Sequence, residues 1–253
     1  ANADLQGRLQ RLSTGLQITR AADTPAGLIV SERLSSEIAG PYATKLLVDA
    51  GAAVIKLEAA AGDPLRRWSA SHSPILDGED GALFQYLNAS KRSVVADLQT
   101  AAGRDLLLDL AAAADLVVES FGAGEMQRLG LPFAEFAARR STLSLVSISA
   151  WGQTGPWALR PATEWTLQAA TGTTSGRGLP ERGPVAFGGR IGEWITGTYA
   201  ALGAISAWLQ ARTTGRGQHV DLSMFEAMLT ATPCFGDFYS QQIPDPFEQR
   251  IEL

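Results

Sequence analysis

The sequence predicts an α/β protein built on a parallel β-sheet that helices cover on both faces. Two observations support this prediction. Short runs rich in β-branched residues alternate with helical patterns of ten or more residues, and loops rich in Gly, Pro and Ser separate them. Parallel strands require such crossover helices, which then pack on the faces of the sheet. We also expect a separate helical segment before this alternation begins.

The amino-terminal segment has the spacing of a helix. Leucines recur every three to four residues from Leu5 to Leu16, as on one face of a helix. Asp23, followed by Thr and Pro, is typical of a helix start. An apolar face continues from there to Ile38, so this segment is predicted to be helical throughout.

From residue 40 helices and strands alternate. The helices are predicted at residues 41–50, 102–114, 132–140 and 191–211. The strands are predicted at residues 53–57, 93–98, 115–120, 143–149 and 218–222. This order indicates a Rossmann-like parallel sheet with flanking helices.

Composition excludes several classes of protein. The formal net charge of -5 argues against a general nucleic-acid binder, which needs a basic face. Cys234 is the single cysteine, so one chain has neither a disulfide framework nor a cysteine zinc cluster. No apolar run approaches the roughly 18 residues that cross a bilayer. We expect a cytoplasmic protein that binds no membrane.

The common catalytic motifs are absent. The sequence has no phosphate-binding P-loop, no G-x-G-x-x-G after the early strand and no G-x-S-x-G nucleophile elbow. Its two histidines, His72 and His219, are too few for a histidine metal site, and we expect His219 to be structural. The chemistry must therefore depend on carboxylates, backbone amides and basic groups.

Six segments follow one another in an order that is informative as a set. They are AGPYATKLLVDAGAAVIKLE (39–58), NASKRSVVADL (88–98), ADLVVESFGAGEMQRLGL (114–131), SISAWGQTGP (147–156), PATEWTLQAATG (161–172) and GRGQHVDLSMFEAM (215–228). Together they resemble the family III CoA-transferases, the group of the formyl-CoA and carnitine CoA-transferases. The resemblance covers about residues 39–253 and implies coenzyme A as the group carried by the substrate, with no metal.

The resemblance also implies which residues contact coenzyme A. The matching positions, in chain order, are Ala39, Asn88, Lys91, Arg92, Phe121 and Arg128. The first would lie by the thiol arm, the next three at the nucleotide end, and the last two by the adenine and its phosphates. Cations and an apolar ring are what phosphates and a flat base require. The alternative is that the two basic residues of the second segment only solvate a turn.

Glu164 matches the catalytic aspartate of the family. It lies in P-A-T-E-W-T-L-Q-A, between glycine-rich loops at 152–155 and 172–178 whose amides could approach an acyl group. Alternatively, its charge only favours a helix start. The family usually has aspartate both here and at Glu193, so we expect a subfamily.

The expected reaction moves coenzyme A from an acyl-CoA to a free carboxylic acid through a mixed anhydride and a glutamyl thioester on Glu164. One alternative is proton exchange on an acyl-CoA, as in a racemase, with Glu164 and Glu193 as the acid–base pair. Another is a non-enzymatic helical assembly segment. The family resemblance implies an interlocked homodimer when the protein is intact.

The amino-terminal segment has a different resemblance. Residues 11–38 resemble the amino-terminal helical region of bacterial flagellins, with RLSTGL and AADTPAGL as the matching patterns. We therefore predict two parts, residues 1–38 and a truncated large domain at 39–253. On this view residues 1–38 do not complete the sheet, and the exposed strand edge would make the chain poorly stable.

Overall fold

A single parallel sheet organises the molecule. The computed structural model describes residues 28–30, 37–174, 183 and 185–232, and only the backbone of residues 28–30. Within these ranges six strands pair in the order β3-β2-β1-β4-β5-β6, and every pairing is parallel. The strands are β1 (Leu28–Val30), β2 (Ile55–Glu58), β3 (Arg92–Val95), β4 (Leu116–Glu119), β5 (Ser144–Ser149) and β6 (His219–Ser223). The predicted α/β class and Rossmann-like sheet are confirmed.

The chain reverses its direction of travel across the sheet between β1 and β4. The first three strands are laid down towards one edge and the last three towards the other. Crevices at the carboxyl ends of strands on either side of such a reversal are where ligands bind in open α/β sheets. The carboxyl ends of β1 and β4 are therefore the places to examine for function.

Helices cover both faces of this sheet. In chain order they are α1 (Ala39–Asp49), α2 (Ala82–Asn88), α3 (Ala101–Ala112), α4 (Glu125–Arg128), α5 (Phe133–Arg139), α6 (Glu164–Ala170), α7 (Ile191–Thr214) and α8 (Met224–Ala231), with a 3₁₀ turn at Pro64–Arg67. The hydroxyl of Thr100 caps α3 by accepting the N–H of Gly103 at 3.1 Å. The 24-residue α7 ends at Gly215, whose φ of 72° is the left-handed conformation that glycine adopts readily.

Two apolar clusters lie on opposite faces of the sheet. One joins α3, α4 and α5 to strands β2 to β5 and includes the fully buried Leu107, Phe136 and Leu145. The other joins α1, α7 and α8 to the opposite side of β4 and β5. Small residues allow α1 and α7 to approach closely, since a Cβ at Gly197 would lie 2.8 Å from the carbonyl oxygen of Ala39.

The prediction that residues 1–38 contribute no strand is wrong. The β1 strand (Leu28–Val30) lies between β2 and β4, with Leu28 opposite both Ile55 and Val117. A Leu-Ile-Val triplet suits a strand enclosed by neighbours, and a short apolar run reads equally well as helix. Leaving the centre of the sheet empty would expose unpaired backbone groups on both neighbours. Because β1 fills this position, there is no reason to expect the poor stability that a missing strand would cause.

The other predicted elements differ from the structure mainly at their ends. The sequence analysis did not identify α2, α4, α6 and α8, which are four to eight residues long. Short helices carry too few apolar positions to establish a period. The helical pattern before residue 28 lies outside the described residues. Of the helices that are described, none is long and apolar enough to cross a membrane.

Candidate active site

Glu164 is the first residue of α6, and its carboxylate lies where two helices begin. Thr163 precedes it as the N-cap and forms a reciprocal capping box with Thr166, which fixes the start of α6. The alternative prediction, that Glu164 occupies a helix start, is therefore correct as to position. The first-turn position does not exclude a chemical role, because its carboxylate points at a different helix.

The two oxygens of Glu164 have different surroundings. Oε1 accepts the backbone N–H of Gly192 at 2.7 Å and the amide of Gln168 at 2.9 Å. Oε2 is buried and has no hydrogen-bond partner among the described residues. The donors on this carboxylate are thus concentrated on Oε1.

Gln168 connects Glu164 to the segment that precedes α7. Its side chain is fully buried, and its Nε2 donates both to Glu164 and to the carbonyl oxygen of Phe187 at 3.1 Å. Its Oε1 accepts the N–H of Phe187 at 2.7 Å. The amide is thereby fixed in one orientation, with a donor directed at the carboxylate.

Gly192 leaves space that a side chain would remove. A Cβ at this position would lie 2.9 Å from Oε2 of Glu164 and 2.5 Å from the sulfur of Met228. Met228 is itself completely buried in α8. Glycine therefore allows the start of α7 to approach Glu164 while α8 packs against the other side.

Glu193 has a structural environment. Its Oε2 accepts the N–H groups of Ile38 and Ala39, the latter at 3.2 Å, and so caps the start of α1. Its Oε1 pairs with Arg190, which also pairs with Glu37. Burial would lower the pKa of Arg190, but attraction to Glu193 and the bond with Glu37 raise it overall.

Lys91 and Asn88 are held within the protein. The ammonium group of Lys91 donates to the carbonyl of Pro41, the hydroxyl of Thr44 and Oδ1 of Asn88, at 2.8, 2.7 and 3.1 Å. Burial lowers the pKa of Lys91 to about 6. Its nitrogen is buried and all three of these partners are protein groups, so this arrangement argues against the predicted contact between Lys91 and a phosphate.

The remaining positions assigned to coenzyme A are dispersed. Phe121 is 3% exposed and belongs to an apolar cluster, so its ring is not an open surface for adenine. Arg128 is largely exposed at the end of α4, paired with Glu125 at 2.5 Å. Ala39 begins α1 but is fully buried. Arg92 begins β3 in the row that pairs with Ile55.

These positions do not form one cluster. Arg92 lies where β3 begins, whereas Phe121 and Arg128 follow the end of β4. All the strands are parallel, so their amino-terminal ends lie on one side of the sheet and their carboxyl-terminal ends on the other. Arg92 is therefore on the opposite side from Phe121 and Arg128. Arg128, which follows the carboxyl end of β4, has an exposed guanidinium group that a phosphate could reach.

A second buried carboxyl group ends β4. Glu119 is 1% exposed, and its Oε2 accepts the N–H of Phe121 at 2.7 Å. Burial raises the pKa of Glu119 to about 7, although hydrogen bonds with Ser147 and Phe121 oppose the rise. The hydroxyl of Ser147 also lies 2.8 Å from Nε2 of His219, whose ring stacks on Phe133.

Sequence analysis missed the contacts of Gln168, Gly192 and Arg190. The spacing of Glu164 and Gln168, four residues apart, could have indicated the first contact once a helix was recognised there. No sequence signal places Gly192 and Arg190 against Glu164, because that contact depends on how α6 and α7 pack. In the described ranges no three His, Cys, Asp or Glu side chains come together as metal ligands.

Comparison with known proteins places this geometry in context. The family model for CoA-transferase family III matches residues 26–249. The chain is 34% identical over 205 residues to the acetyl-CoA:oxalate CoA-transferase of Acetobacter aceti, covering 80% of this chain and 51% of that protein. It is 36% identical over 190 residues to the formyl-CoA:oxalate CoA-transferase of Streptomyces avermitilis, covering 75% and 45%.

A solved structure has the same fold. The crystal structure of a CAIB/BAIF family protein from Brucella suis superposes with a TM-score of 0.77 at 31% identity, covering 87% of this chain and 58% of that one. The chain thus spans about half the length of the curated relatives it matches. The family match begins at residue 26, before β1, and so includes the strand that the sequence analysis assigned elsewhere.

Proposed function

The chain belongs to CoA-transferase family III, and on that premise we propose that the protein transfers coenzyme A from an acyl-CoA to a carboxylic acid, with Glu164 as the nucleophile. The printed names of its relatives, acetyl-CoA:oxalate and formyl-CoA:oxalate CoA-transferase, support a reaction between a thioester and a carboxylate. The donor and acceptor of this protein are not specified by those names. The homodimer and the cytoplasmic location remain predictions of the sequence.

The observation that best supports this proposal is that the two oxygens of the Glu164 carboxylate have different hydrogen-bond partners. Donors from Gly192 and Gln168 hold Oε1, whereas Oε2 has no partner in the described part of the chain. A nucleophile needs a lone pair that is oriented and not already shared with a donor. Fixing one oxygen orients the carboxylate and leaves the other oxygen for attack, which avoids an orientation cost during reaction.

The proposed sequence begins when Oε2 attacks the carbonyl carbon of the donor thioester. The C–S bond breaks, the coenzyme A thiolate leaves, and a mixed anhydride joins the acyl group to Glu164. The thiolate then attacks Cδ of Glu164, and the donor acid leaves with Oε2. The product is a glutamyl thioester of coenzyme A.

The acceptor carboxylate reverses these steps. It attacks Cδ of the glutamyl thioester, releases the thiolate and forms a second anhydride. The thiolate attacks the acyl carbon of that anhydride and expels the Glu164 carboxylate, which keeps one oxygen from the acceptor. No proton is gained or lost, and no oxidant or metal enters the balance.

The environment of Glu193 disfavours the alternative of proton exchange. Both of its oxygens are engaged, one by the start of α1 and the other by Arg190. A general base must reach the proton it removes with a free lone pair. Glu193 is therefore a helix cap, and we do not pair it with Glu164 as acid and base.

Trapping tests the proposal directly. The full-length protein, incubated with acyl-CoA and hydroxylamine, should yield a hydroxamate on the peptide that contains Glu164. Glu164→Gln should abolish transfer while coenzyme A binding by calorimetry stays unchanged. An unmodified peptide from an enzyme that turns over, together with an active Glu164→Gln variant, would remove Glu164 from the chemistry.

Glu164→Asp gives a second test of geometry. Aspartate is shorter by one C–C bond, about 1.5 Å, so it cannot reach the N–H of Gly192 from the same backbone position. A misplacement of about 1 Å can cost a hundredfold in rate. We expect kcat to fall by about that factor although aspartate is the usual family residue.

A further inference from the structure

We propose that the backbone N–H of Gly192 and the side-chain amide of Gln168 form an oxyanion hole for the carboxyl carbon of the enzyme's own Glu164. This inference rests on the proposed function, because it concerns the steps in which Cδ of Glu164 is itself attacked. In those steps negative charge develops on Oε1, the oxygen that both donors already hold. The two residues would then act on the reaction and not only on the fold.

The geometry fits this role. The donor distances of 2.7 and 2.9 Å to Oε1 lie in the range required of oxyanion-hole donors, about 2.7–3.1 Å. The requirement is that donors surround the atom that becomes charged, and Oε1 remains on the enzyme through every step. Neither donor has to move as the carbon becomes tetrahedral.

Both donors are also held rigidly. Gly192 lies in the first turn of the 24-residue α7, where free N–H groups and the helix dipole favour negative charge. The amide of Gln168 cannot turn away, because its other hydrogen and its oxygen bind the backbone of Phe187. Fixed donors stabilise developing charge without the cost of reorganisation.

A nearby cation supports the same site. Arg190, immediately before α7, interacts electrostatically with Glu164 as well as with Glu193 and Glu37. Its positive charge adds to that of the helix start. In contrast, Oε2 has no donor among the described residues, so stabilisation at this carboxyl group is directed at Oε1.

The chemistry balances as follows. In the anhydride, Oε2 bridges the acyl carbon and Cδ, and Oε1 is the carbonyl oxygen. Attack of the thiolate on Cδ forms the S–C bond and moves the carbonyl electron pair onto Oε1. The pair returns as the Cδ–Oε2 bond breaks and the donor acid leaves. Attack on the acyl carbon instead places the charge of the tetrahedral intermediate on the acyl oxygen, and Oε1 gains only a share of the charge as the whole carboxylate leaves.

This difference provides the test. Hydroxylamine added to the acylated full-length enzyme reacts at either carbon of the anhydride, or at Cδ of the thioester. Attack at Cδ gives a hydroxamate on Glu164, and attack at the acyl carbon gives the substrate hydroxamate. The ratio of the two products, measured by mass spectrometry, reports stabilisation at Oε1. Glu164→Gln gives the background reaction of hydroxylamine with acyl-CoA.

The decisive variant is Gln168→Met, which keeps the approximate size but removes the donor. We expect the ratio of Glu164 hydroxamate to substrate hydroxamate to fall by about 10²-fold, the usual effect of losing one oxyanion donor. A purely structural role would lower both yields together and leave the ratio unchanged. Once the background measured with Glu164→Gln is subtracted from the substrate hydroxamate, partial unfolding likewise leaves the ratio unchanged, because the remaining products both arise in active molecules.

Two further variants make the outcome unambiguous. Gln168→Leu also removes the amide donor without adding a charge, and it should shift the ratio in the same direction. Gln210→Met changes an exposed glutamine about 27 Å further along α7 and should leave the ratio at the wild-type value. An unchanged ratio in both Gln168 variants overturns the oxyanion hole, whereas a wild-type enzyme without any Glu164 hydroxamate overturns the proposed nucleophile itself.

Discussion

Glu164 is positioned by contacts that leave little room around its carboxylate. Gly192 is the tightest of these, because a methyl group there would lie 2.9 Å from Oε2. The sulfur of Met228 can move aside, since it ends a flexible side chain. The carboxylate cannot move without losing the donors on Oε1. A single added carbon should therefore displace the nucleophile more than it disturbs the fold.

We predict that Gly192→Ala lowers kcat about a hundredfold, in line with the cost of misplacing a reacting group by roughly 1 Å. The helix should tolerate alanine, which has a higher helix propensity than glycine. Gly203→Ala, in the same helix, is the control, because its Cβ would meet only Val220 at 3.3 Å. Equal kcat values for the two variants would show that the space beside Oε2 is unimportant.

Two of the basic residues assigned to coenzyme A, Lys91 and Arg128, differ in how accessible their side-chain nitrogens are to a phosphate. The buried nitrogen of Lys91 contacts protein groups only, whereas Arg128 has a surface partner that a phosphate can replace, since exposed ion pairs contribute little. We predict that Arg128→Ala weakens coenzyme A binding by about tenfold or more, and that Lys91→Met changes it less than threefold. Arg139→Ala, at a surface ion pair with Asp109, is the control. Calorimetry on the full-length protein measures the dissociation constant of coenzyme A for each variant. A larger loss of affinity in Lys91→Met than in Arg128→Ala would show that Lys91 contacts the nucleotide.

At the scale of single elements, the end of β4 carries a group that titrates near neutrality. Burial raises the pKa of Glu119 from its ordinary value of 4.5 to about 7. Between these values the folded state binds a proton that the unfolded state has lost. The free energy of unfolding therefore falls as the pH rises from 4.5 to 7, and this contribution is constant above pH 7.

Glu119→Gln should remove that dependence. The variant should gain stability relative to wild type as the pH is raised from 5 to 8, by roughly 3 kcal/mol in total. Urea unfolding of both proteins at pH 5, 6, 7 and 8 measures the difference. Parallel stability curves would mean that Glu119 is ionised throughout this range in the folded protein.

Elements with a strong period were predictable, and elements that depend on packing were not. The apolar runs of β4 and β5 and the long α7 follow from their own residues. The six-residue β5 is buried throughout, and its sequence SLVSIS combines small serines with Leu, Val and Ile, which suits a strand enclosed on both faces. The seven-residue α6 does not, because only Leu167 and Gln168 are buried in it. The family resemblance drew attention to the motif around Glu164, but the helix that carries this residue was not predicted.

The candidate site was likewise predicted only in part. Glu164 was selected as the candidate reactive carboxylate from its motif, and that role stays a prediction, but its hydrogen-bond partners could not be predicted. The bond from Gly192 joins residues 28 apart in sequence, and it exists because α6 and α7 begin side by side. The coenzyme A contacts stay predictions, and the arrangement of these residues in space could not be read from the motifs. Motifs give the order of residues along the chain, but not where they lie in space. In the parallel sheet Arg92 is at the amino-terminal end of its strand, whereas Phe121 follows the carboxyl-terminal end of another.

At the scale of the whole molecule, β1 holds the two halves of the sheet together. The strands on either side, β2 and β4, pair with β1 and not with each other. Every backbone N–H in an enclosed strand is needed for one neighbour or the other. A proline there removes a donor and cannot be accommodated, because proline is confined to edge strands.

We predict that Ile29→Pro lowers the free energy of unfolding by about 3 kcal/mol or more. Val95→Pro in β3 is the control. The amides of Arg92 and Ala96 donate towards β2, so by alternation the N–H of Val95 points away from the sheet. The control should lose far less stability. Similar urea midpoints for Ile29→Pro and wild type would contradict the central position of β1.

The flagellin-like pattern of residues 11–38 makes this test informative about the origin of the fold. The segment was expected to lie apart from the sheet, yet three of its residues pair with β2 and β4. Whether the boundary at residues 38 and 39 separates two units of different origin stays a prediction.

The measurement that tests the central claim most directly follows oxygen. The full-length enzyme is cycled with acyl-CoA and an acceptor acid labelled with ¹⁸O in both carboxylate oxygens, then digested in unlabelled water. If Glu164 is acylated, each turnover exchanges one of its oxygens for one from the acceptor, and its peptide gains at least one ¹⁸O atom. Direct transfer between substrates, or proton exchange alone, leaves Glu164 unlabelled. An unlabelled Glu164 peptide after many turnovers would contradict the account.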